Sequence, residues 1–273
     1  MKKILFLFLL LISLPSFARG PLQRGRFMCG PNVEFTDNPY AAVINFGSGL
    51  VTSGVDALTG SSWISRYLIP STAGTRFLVN RDIVTPAGEA EVKWWDWKLR
   101  NHVIGYAFEF QPTISHLGFQ FELDYERQSR TAKLPGMEDF IEFSKKMITP
   151  GLSIQYQLFD FIDRSWSLNL VVGTKYNYVF KCSGLSEDVN SINNGFTGSV
   201  GLGVSFLPTD LDLDSEFDAT SLSKTTYFQF RINYNRDLFN YFNPEFVDDA
   251  GMRPYEGWTS KYGYLTFNVV VFM

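Results

Sequence analysis

The feature that most constrains this chain is a run of ten residues, Leu117–Glu126, in which apolar and polar side chains alternate without a break. Leucine, phenylalanine and tyrosine occupy one set of alternate positions, while glycine, glutamine and carboxylate residues occupy the other. A period of two residues is that of a β-strand with unlike faces, since a helix repeats after about 3.6 residues. The run therefore predicts a strand with one apolar and one polar surface.

The same alternation recurs along most of the chain and predicts eight strands. They cover residues 41–52, 102–112, 117–127, 147–158, 166–180, 195–207, 225–235 and 262–273. Each is close to the ~9–11 residues that cross a bilayer when a strand is tilted. An even number of antiparallel strands is typical of bacterial outer-membrane barrels. The predicted fold is all-β: an eight-stranded antiparallel transmembrane β-barrel with long extracellular loops.

Alternation alone does not say which face points inward, because a soluble β-sandwich or lipocalin-like barrel alternates as well. The apolar faces here carry bulky side chains such as Phe119 and Phe121, which would overfill an eight-stranded interior. The opposite faces are rich in small and polar residues such as Gln120 and Asn169. We therefore expect the apolar rows outside, against lipid, and the polar rows inside.

The net charge of the chain is -4, which argues against a nucleic-acid partner.

The N-terminus has the pattern of a secretory signal peptide. A basic head is followed by an apolar stretch from Ile4 to Ile12, and small residues precede a cleavage site after Ala18. The predicted organisation is a signal peptide at 1–18, a periplasmic N-terminal lead-in at 19–40 and an outer-membrane β-barrel at 41–273.

The strand positions divide the connections between two sides of a membrane. The predicted periplasmic turns are about 113–116, 159–165 and 208–224, and the external loops are about 53–101, 128–146, 181–194 and 236–261. Short turns opposite longer loops are the asymmetry expected of such barrels. The loops at 53–101 and 236–261 are the expected functional surface, and an extra hairpin within 53–101, giving ten strands, stays open. The aromatic residues expected near the external rim are Tyr125, Tyr176, Tyr178, Tyr234 and Tyr264, with Trp166 at the periplasmic rim.

The last strand, Gly263–Met273, resembles the terminal β-signal of outer-membrane proteins, which implies recognition by the barrel-assembly machinery. The mature chain as a whole resembles small outer-membrane barrels of Gram-negative bacteria, and is similar to the outer-membrane-protein-X-like and PorT-like barrels. This resemblance implies location in the cell outer membrane and contact with its lipid and lipopolysaccharide. It brings no catalytic motif, and its PorT-like side leaves an accessory role in secretion open.

Five charged residues fall on the polar, inward rows: Glu109, Glu122, Asp124, Lys175 and Arg231. Buried charges need partners, so we expect a lumen filled by ion pairs and hydrogen bonds, with Arg231 bound to one of the carboxylates. A proton or ion path through the lumen is the alternative interpretation, and whether the lumen conducts stays open.

Patterns for catalysis or metal binding are weak, and we assign no catalytic, cofactor-binding or metal residue. The two histidines are His102 and His116, and the adjacent Ser115 does not by itself make a catalytic pair. Carboxylates alternate in one predicted turn at Asp210, Asp212, Asp214, Glu216 and Asp218. Ser215 and Ser221 stand where a calcium loop needs glycine and glutamate, so a solvated acidic turn is expected.

Two further groups have open roles. Trp94, Trp95 and Trp97, beside Lys93, Lys98 and Arg100, are interpreted as rim or loop packing, with an extracellular protein or glycan ligand as the alternative. Cys29 and Cys182 are placed on opposite sides of the membrane, so no disulfide is expected between them.

The sequence thus predicts an integral outer-membrane protein that is not an enzyme. Its envelope role, whether binding, adhesion, structure or secretion, is expected to lie in the extracellular loops. A lipid-modifying enzyme and a narrow transport barrel remain as alternatives.

Overall fold

The computed structural model describes residues 26–36, 72–80, 82–93, 101–111, 116–161, 166–206 and 227–272, and the regular secondary structure among them is almost entirely β-strand. The strands are β1 (Arg26–Thr36), β2 (Thr72–Asn80), β3 (Val84–Thr85), β4 (Gly88–Glu89), β5 (Glu91–Val92), β6 (His102–Gln111), β7 (Leu117–Lys133), β8 (Ile141–Phe161), β9 (Trp166–Ser183), β10 (Gly195–Phe206), β11 (Tyr227–Asp237) and β12 (Gly263–Phe272). A 3-10 turn covers Val189–Ser191. Over these ranges no helix has the length and apolar character to cross a membrane.

Nine of the described strands close into a barrel. Their order around the barrel is β7, β6, β1, β2, β12, β11, β10, β9 and β8, and β8 pairs again with β7. Outside the ring, β5 pairs with the far end of β7, and β3 and β4 form a small separate hairpin.

The connections define two ends of the barrel, which we call the turn end and the loop end. At the turn end, β6 joins β7 and β8 joins β9 within a few residues. At the loop end lie four described loop segments, residues 82–93, 134–140, 184–194 and 238–262. Strands β7 and β8 stay paired well beyond their predicted limits, so the predicted loop at 128–146 shrinks to 134–140.

The predicted strands from 102–112 to 262–273 are confirmed as β6 to β12, but the count of eight is wrong. The additional strands are β1, inside the predicted lead-in at 19–40, and β2, inside the predicted loop at 53–101. Gly30 and Pro31 look like turn formers and conceal the alternation of β1, and Leu78 interrupts the inward polar row of β2. The predicted strand at 41–52 lies outside the described residues.

The strand β1 makes the barrel irregular. It runs antiparallel to β6, from Arg26 opposite Gln111 onward, but parallel to β2, where Asn32 lies opposite Thr72. The other described neighbours in the ring are antiparallel. Because a tight hairpin turn joins antiparallel strands only, β1 and β2 are not the two arms of one hairpin.

The two faces of the barrel wall have the predicted orientation. Phe121 and Leu152 point outward and are 46% and 50% exposed, whereas Gln120 and Asn169 point inward and are 6% and 0% exposed. A soluble sandwich or lipocalin-like barrel would show the reverse arrangement. The described barrel therefore has a polar interior and an apolar outer surface.

Candidate functional site

The five charged residues predicted to face the lumen all do so, and they form ion pairs. Lys175 Nζ lies 2.7 Å from Glu122 Oε1 and 3.4 Å from Asp124 Oδ2. Arg231 Nη2 lies 2.8 Å from Glu109 Oε1, which confirms the predicted pairing of Arg231 with a carboxylate. The lumen therefore neutralises charge by direct contact between strands that are distant in sequence.

A hydrogen-bonded network extends from Arg231 towards the turn end. The Arg231 guanidinium donates to Gln155 Oε1 at 3.2 Å and also to the side-chain oxygens of Gln120 and Gln229. Gln229 Nε2 in turn donates to Ser205 Oγ at 2.7 Å. These side chains occupy the interior, so this half of the lumen is a packed polar core.

A second ion-pair cluster was not predicted from the sequence, because it depends on β1 and β2, which were not recognised as strands. Arg76 Nη2 lies 3.1 Å from Glu34 Oε2, and Nη1 contacts Glu126. The Arg76 guanidinium also stacks over the ring of Tyr264, 4.2 Å from its centre. The prediction that Tyr264 belongs to the outer rim is wrong, since it shares the inward row of β12 with Thr266 and is buried. The one sequence feature that could have indicated this cluster is a single arginine in the otherwise uncharged stretch at 72–80.

Glycines on the inward rows make room for these charged side chains. A Cβ atom at Gly105 would collide with the Asp124 carboxylate and the Leu123 carbonyl oxygen. A Cβ atom at Gly151 would lie 2.8 Å from Glu122 Cγ and 3.0 Å from Lys175 Cγ. Small residues beside long ones thus fill the narrow lumen without overpacking it.

Little free space remains between the lumen side chains that the structure describes. The cavity bounded by Arg76, Lys175 and Arg231 has a volume of about 30 Å³. A second cavity, between Arg130 and Tyr262 at the loop end, has a volume of about 20 Å³. Such volumes hold about one or two water molecules each. The described lumen is therefore filled by side chains.

The loop end carries an apolar cluster that we call the loop-end cap, formed by residues 82–93, 184–194 and 238–262. Phe242 lies at its centre and is 1% exposed. The centre of its ring lies 4.8 Å from that of Tyr241, 5.2 Å from Tyr255, 5.0 Å from Trp258 and 5.8 Å from Phe143 of β8. These rings cover the end of the barrel with a core like that of a soluble protein.

Backbone and side-chain hydrogen bonds join the three segments of the cap. Val84 and Thr259 exchange backbone hydrogen bonds of 2.9 and 2.8 Å. The Asn193 backbone N–H donates to the Tyr241 carbonyl at 3.0 Å, and its side-chain Nδ2 donates to the Phe242 carbonyl at 3.0 Å. The cap is thus one connected unit.

Two cations from the barrel wall lie beneath the cap. Arg130 Cζ is 3.3 Å from the ring centre of Tyr262 and 4.5 Å from that of Tyr241. Lys145 Nζ lies 4.8 Å from the ring centre of Tyr241. These cation–π contacts fix the cap to β7 and β8. Burial raises the pKa of Tyr241 to about 12, so this ring remains a neutral phenol at physiological pH.

The structure does not bring the histidines together. His102 begins β6 at the loop end, 5.9 Å from the ring of Tyr125, whereas His116 precedes β7 at the turn end, 6.0 Å from the ring of Tyr156. Ser115 lies outside the described residues. Among the residues that are described, no group of three or more histidine, cysteine or acidic side chains is arranged to hold a metal ion.

The remaining candidates, which are the cysteines, the tryptophan group and the acidic turn, lie only partly within the described part of the chain. Cys182 is a buried free thiol whose Sγ lies 2.9 Å from the Asp188 carbonyl oxygen, while nothing is described of the Cys29 side chain. Lys93 lies 4.3 Å from the ring centre of Phe140. The tryptophans at 94–97 and the acidic turn at 208–224 fall outside the described residues.

Comparison with known proteins finds similarity among solved structures. No protein-family model matches the chain. No curated protein matches it either. Among solved structures, the outer membrane protein OprG from Pseudomonas aeruginosa matches over 72% of this chain and 91% of its own, with 10% sequence identity and a TM-score of 0.33. The fold is defined by the strand pairing and burial given above.

Proposed function

We propose that this chain is an integral outer-membrane β-barrel with a non-catalytic envelope role, which it performs through its loop end. The observation that carries the proposal is the outward apolar surface of the wall. Large side chains such as Phe108, Phe121, Leu152, Leu202 and Ile232 are each between 38% and 52% exposed. A contiguous apolar surface of this kind is expected on a protein that faces lipid.

The apolar surface ends at the same level on adjacent strands. Tyr125 of β7, Ile148 of β8 and Tyr178 of β9 lie side by side in register. From Ile148 the apolar outward row of β8 continues to Leu158. With a rise of about 3.4 Å per residue and a tilt of about 40°, this row covers a height of about 26 Å, close to the hydrophobic thickness of an outer-membrane barrel.

The loop end has a different surface. Each of the four described loop segments has two more acidic than basic residues. The segment at 238–262 also exposes apolar side chains, and Leu238 and Met252 are 67% and 63% exposed. An acidic surface with exposed apolar residues, held on a packed cap, supports a role in binding another macromolecule outside the cell.

The filled lumen and the cap support a barrel that does not conduct. We expect the purified protein to show no single-channel current in a planar bilayer, and stepwise currents would refute this part of the proposal. The separation of His102 from His116 favours a protein without lipid-modifying activity. An altered set of lipid A species after His102→Ala and His116→Ala would support the enzyme alternative.

The decisive experiment measures location and orientation together. The full chain is expressed in a Gram-negative host, and the membranes are separated by density and washed with urea. In Met252→Cys and His116→Cys variants, a membrane-impermeant maleimide is applied to intact cells, with the unsubstituted chain as the background control. We expect recovery with the outer membrane and labelling at Met252→Cys, with His116→Cys labelled after lysis. Recovery in a soluble fraction, or equal labelling of both positions on intact cells, would refute the proposal.

A further inference from the structure

One row of side chains lies just beyond the apolar surface of the barrel wall, on the side of the loop end. In the register of the sheet, Arg127 of β7 lies opposite Lys146 of β8, and Lys146 lies opposite Lys181 of β9. Neighbouring strands are about 4.8 Å apart, so three cations from three strands come together within about 10 Å along the wall. Residues far apart in sequence therefore form a compact cationic row.

The row lies immediately above Tyr125, Ile148 and Tyr178, the residues that end the apolar surface. Arg127 and Lys146 are each two residues from Tyr125 and Ile148 on the same outward rows. Tyrosine at such a position is typical of the interface between hydrocarbon and headgroups. Side chains one step further out are at the depth of lipid headgroups.

A β-bulge brings the third cation into the row. The register between β8 and β9 shifts between Lys146 and Met147, and Phe180 is the additional residue on β9. Strict alternation after the buried Val179 would turn Lys181 inward, but both Phe180 and Lys181 are exposed. Bulges commonly re-aim a side chain in this way.

The cations of the row have no acidic partner among the described residues. The ion pairs described in the lumen involve Arg76, Lys175 and Arg231, and none includes a member of the row. In the described part of the chain, Nε of Arg127 also has no hydrogen-bond partner. The carboxylate of Glu126, next in sequence, points inward and contacts Arg76. The row therefore presents uncompensated positive charge.

We propose that Arg127, Lys146 and Lys181 form a binding site for the phosphate groups of an outer-leaflet glycolipid. The inference rests on the proposed placement of the barrel in an outer membrane. Arginine and lysine are the side chains that bind phosphate most strongly, arginine through two parallel hydrogen bonds and lysine as a point charge. The apolar wall below the row takes the acyl chains, so one lipid molecule satisfies both surfaces.

The test uses lipid A as the probe. The refolded protein is incubated in detergent micelles with fluorescent lipid A, and binding is measured by anisotropy. The first variant is the triple substitution Arg127→Gln, Lys146→Gln and Lys181→Gln. A matched control removes three cations elsewhere at the loop end through Lys133→Gln, Arg253→Gln and Lys261→Gln. We expect the first variant to lose affinity on the order of a hundredfold, since each cation near an anionic surface contributes about a factor of five, and the control to change little.

A charge-retaining variant separates charge from fold. Arg127→Lys, Lys146→Arg and Lys181→Arg together should keep most of the affinity, and lipid A without its phosphates should bind the natural protein as weakly as the neutral variant binds intact lipid A. Equal affinity of the neutral variant and the natural protein would overturn the proposal. Full displacement of lipid A by millimolar inorganic phosphate would also overturn it, by showing that the site takes free phosphate.

Folding and insertion are measured separately, by heat-dependent gel mobility and by capture into phosphatidylcholine vesicles. A neutral variant that folds and inserts normally yet binds lipid A normally counts against the cationic row alone. A natural protein that folds but does not enter vesicles counts against the proposed membrane placement.

Discussion

The lumen and the loop-end cap are built on the same strands with opposite polarity. Along the inward row of β8, Phe143 and Met147 pack into the cap, and the next inward residues, from Thr149 to Gln157, are small or polar. The outward row changes in the opposite sense, from Lys146 to Ile148 and Leu152. One strand therefore changes from the pattern of a soluble protein to its inverse within two residues.

This difference is the one expected from the proposed surroundings, lipid around the wall and water around the cap. A wall that faces lipid has apolar residues outside, and its inward polar groups have to satisfy one another. A cap that faces water gathers apolar side chains beneath an acidic surface, as the hydrophobic effect favours. The lumen should therefore depend on charge pairing, and the cap on apolar burial.

The largest expected effect comes from breaking a charge pair in the lumen. Arg231→Met leaves the buried Glu109 carboxylate without its cation and should lower the free energy of unfolding by about 3–5 kcal/mol. Urea titration of the protein in vesicles, followed by tryptophan fluorescence, measures this change. Adding Glu109→Gln should recover part of the loss. Unchanged stability of the single variant would show that the lumen does not depend on this pair.

An apolar truncation in the cap should be nearly as costly but local. Phe242→Ala removes the ring at the centre of the cap and should destabilise the cap by about 3 kcal/mol. Hydrogen exchange should become faster in 82–93, 184–194 and 238–262 and stay slow in β9 and β10. Faster exchange throughout the barrel would mean that the two regions unfold as one unit.

A matched pair of charge insertions tests what surrounds each region. Leu152 and Met252 are both well exposed, one on the wall and one on the cap. In vesicles, Leu152→Arg should lower the free energy of unfolding by about 2–4 kcal/mol, because an arginine is placed in hydrocarbon. Met252→Arg should change the free energy of unfolding by less than about 0.5 kcal/mol, as expected of a substitution on a solvent-exposed surface. Equal effects at the two positions would contradict the proposed difference between a wall that faces lipid and a cap that faces water.

The smallest expected effect is an alkaline loosening of the cap. Burial raises the pKa of Tyr241 to about 12 and also raises the pKa of Tyr255. The folded cap thus favours the neutral phenol, so its stability is complete below the ordinary tyrosine pKa of about 10 and declines as the pH rises towards about 12. Tyr241→Phe should weaken this pH dependence, measured by near-UV circular dichroism. An identical alkaline transition in the variant would assign it to other groups.

The sequence predicts those parts of the molecule in which alternation is regular. Seven strands, the outward position of Phe121 and the pairing of Arg231 follow from a period of two and the need of a buried charge for a partner. The strand β1 was not predicted, because Gly30 and Pro31 resemble a turn. For the same reason the contact between Glu34 and Arg76 was not predicted.

The cap and the cationic row could not be predicted from the sequence, for a different reason. Tyr241, Phe242 and Tyr255 have no common period and meet through the folding of a loop. Lys146 and Lys181 come together through strand register and a bulge, and neither is visible from composition or spacing. Contacts of this kind depend on how distant segments align in space.

The tightly occupied lumen has a consequence for the proposed location in an outer membrane. In a bilayer, each additional copy of an open pore admits hydrophilic solutes, and this leak limits how many copies an envelope tolerates. A barrel whose interior leaves room for about one or two water molecules at its centre adds almost no such leak. The proposed placement in an outer membrane thus implies that leakage through the barrel does not limit the number of copies.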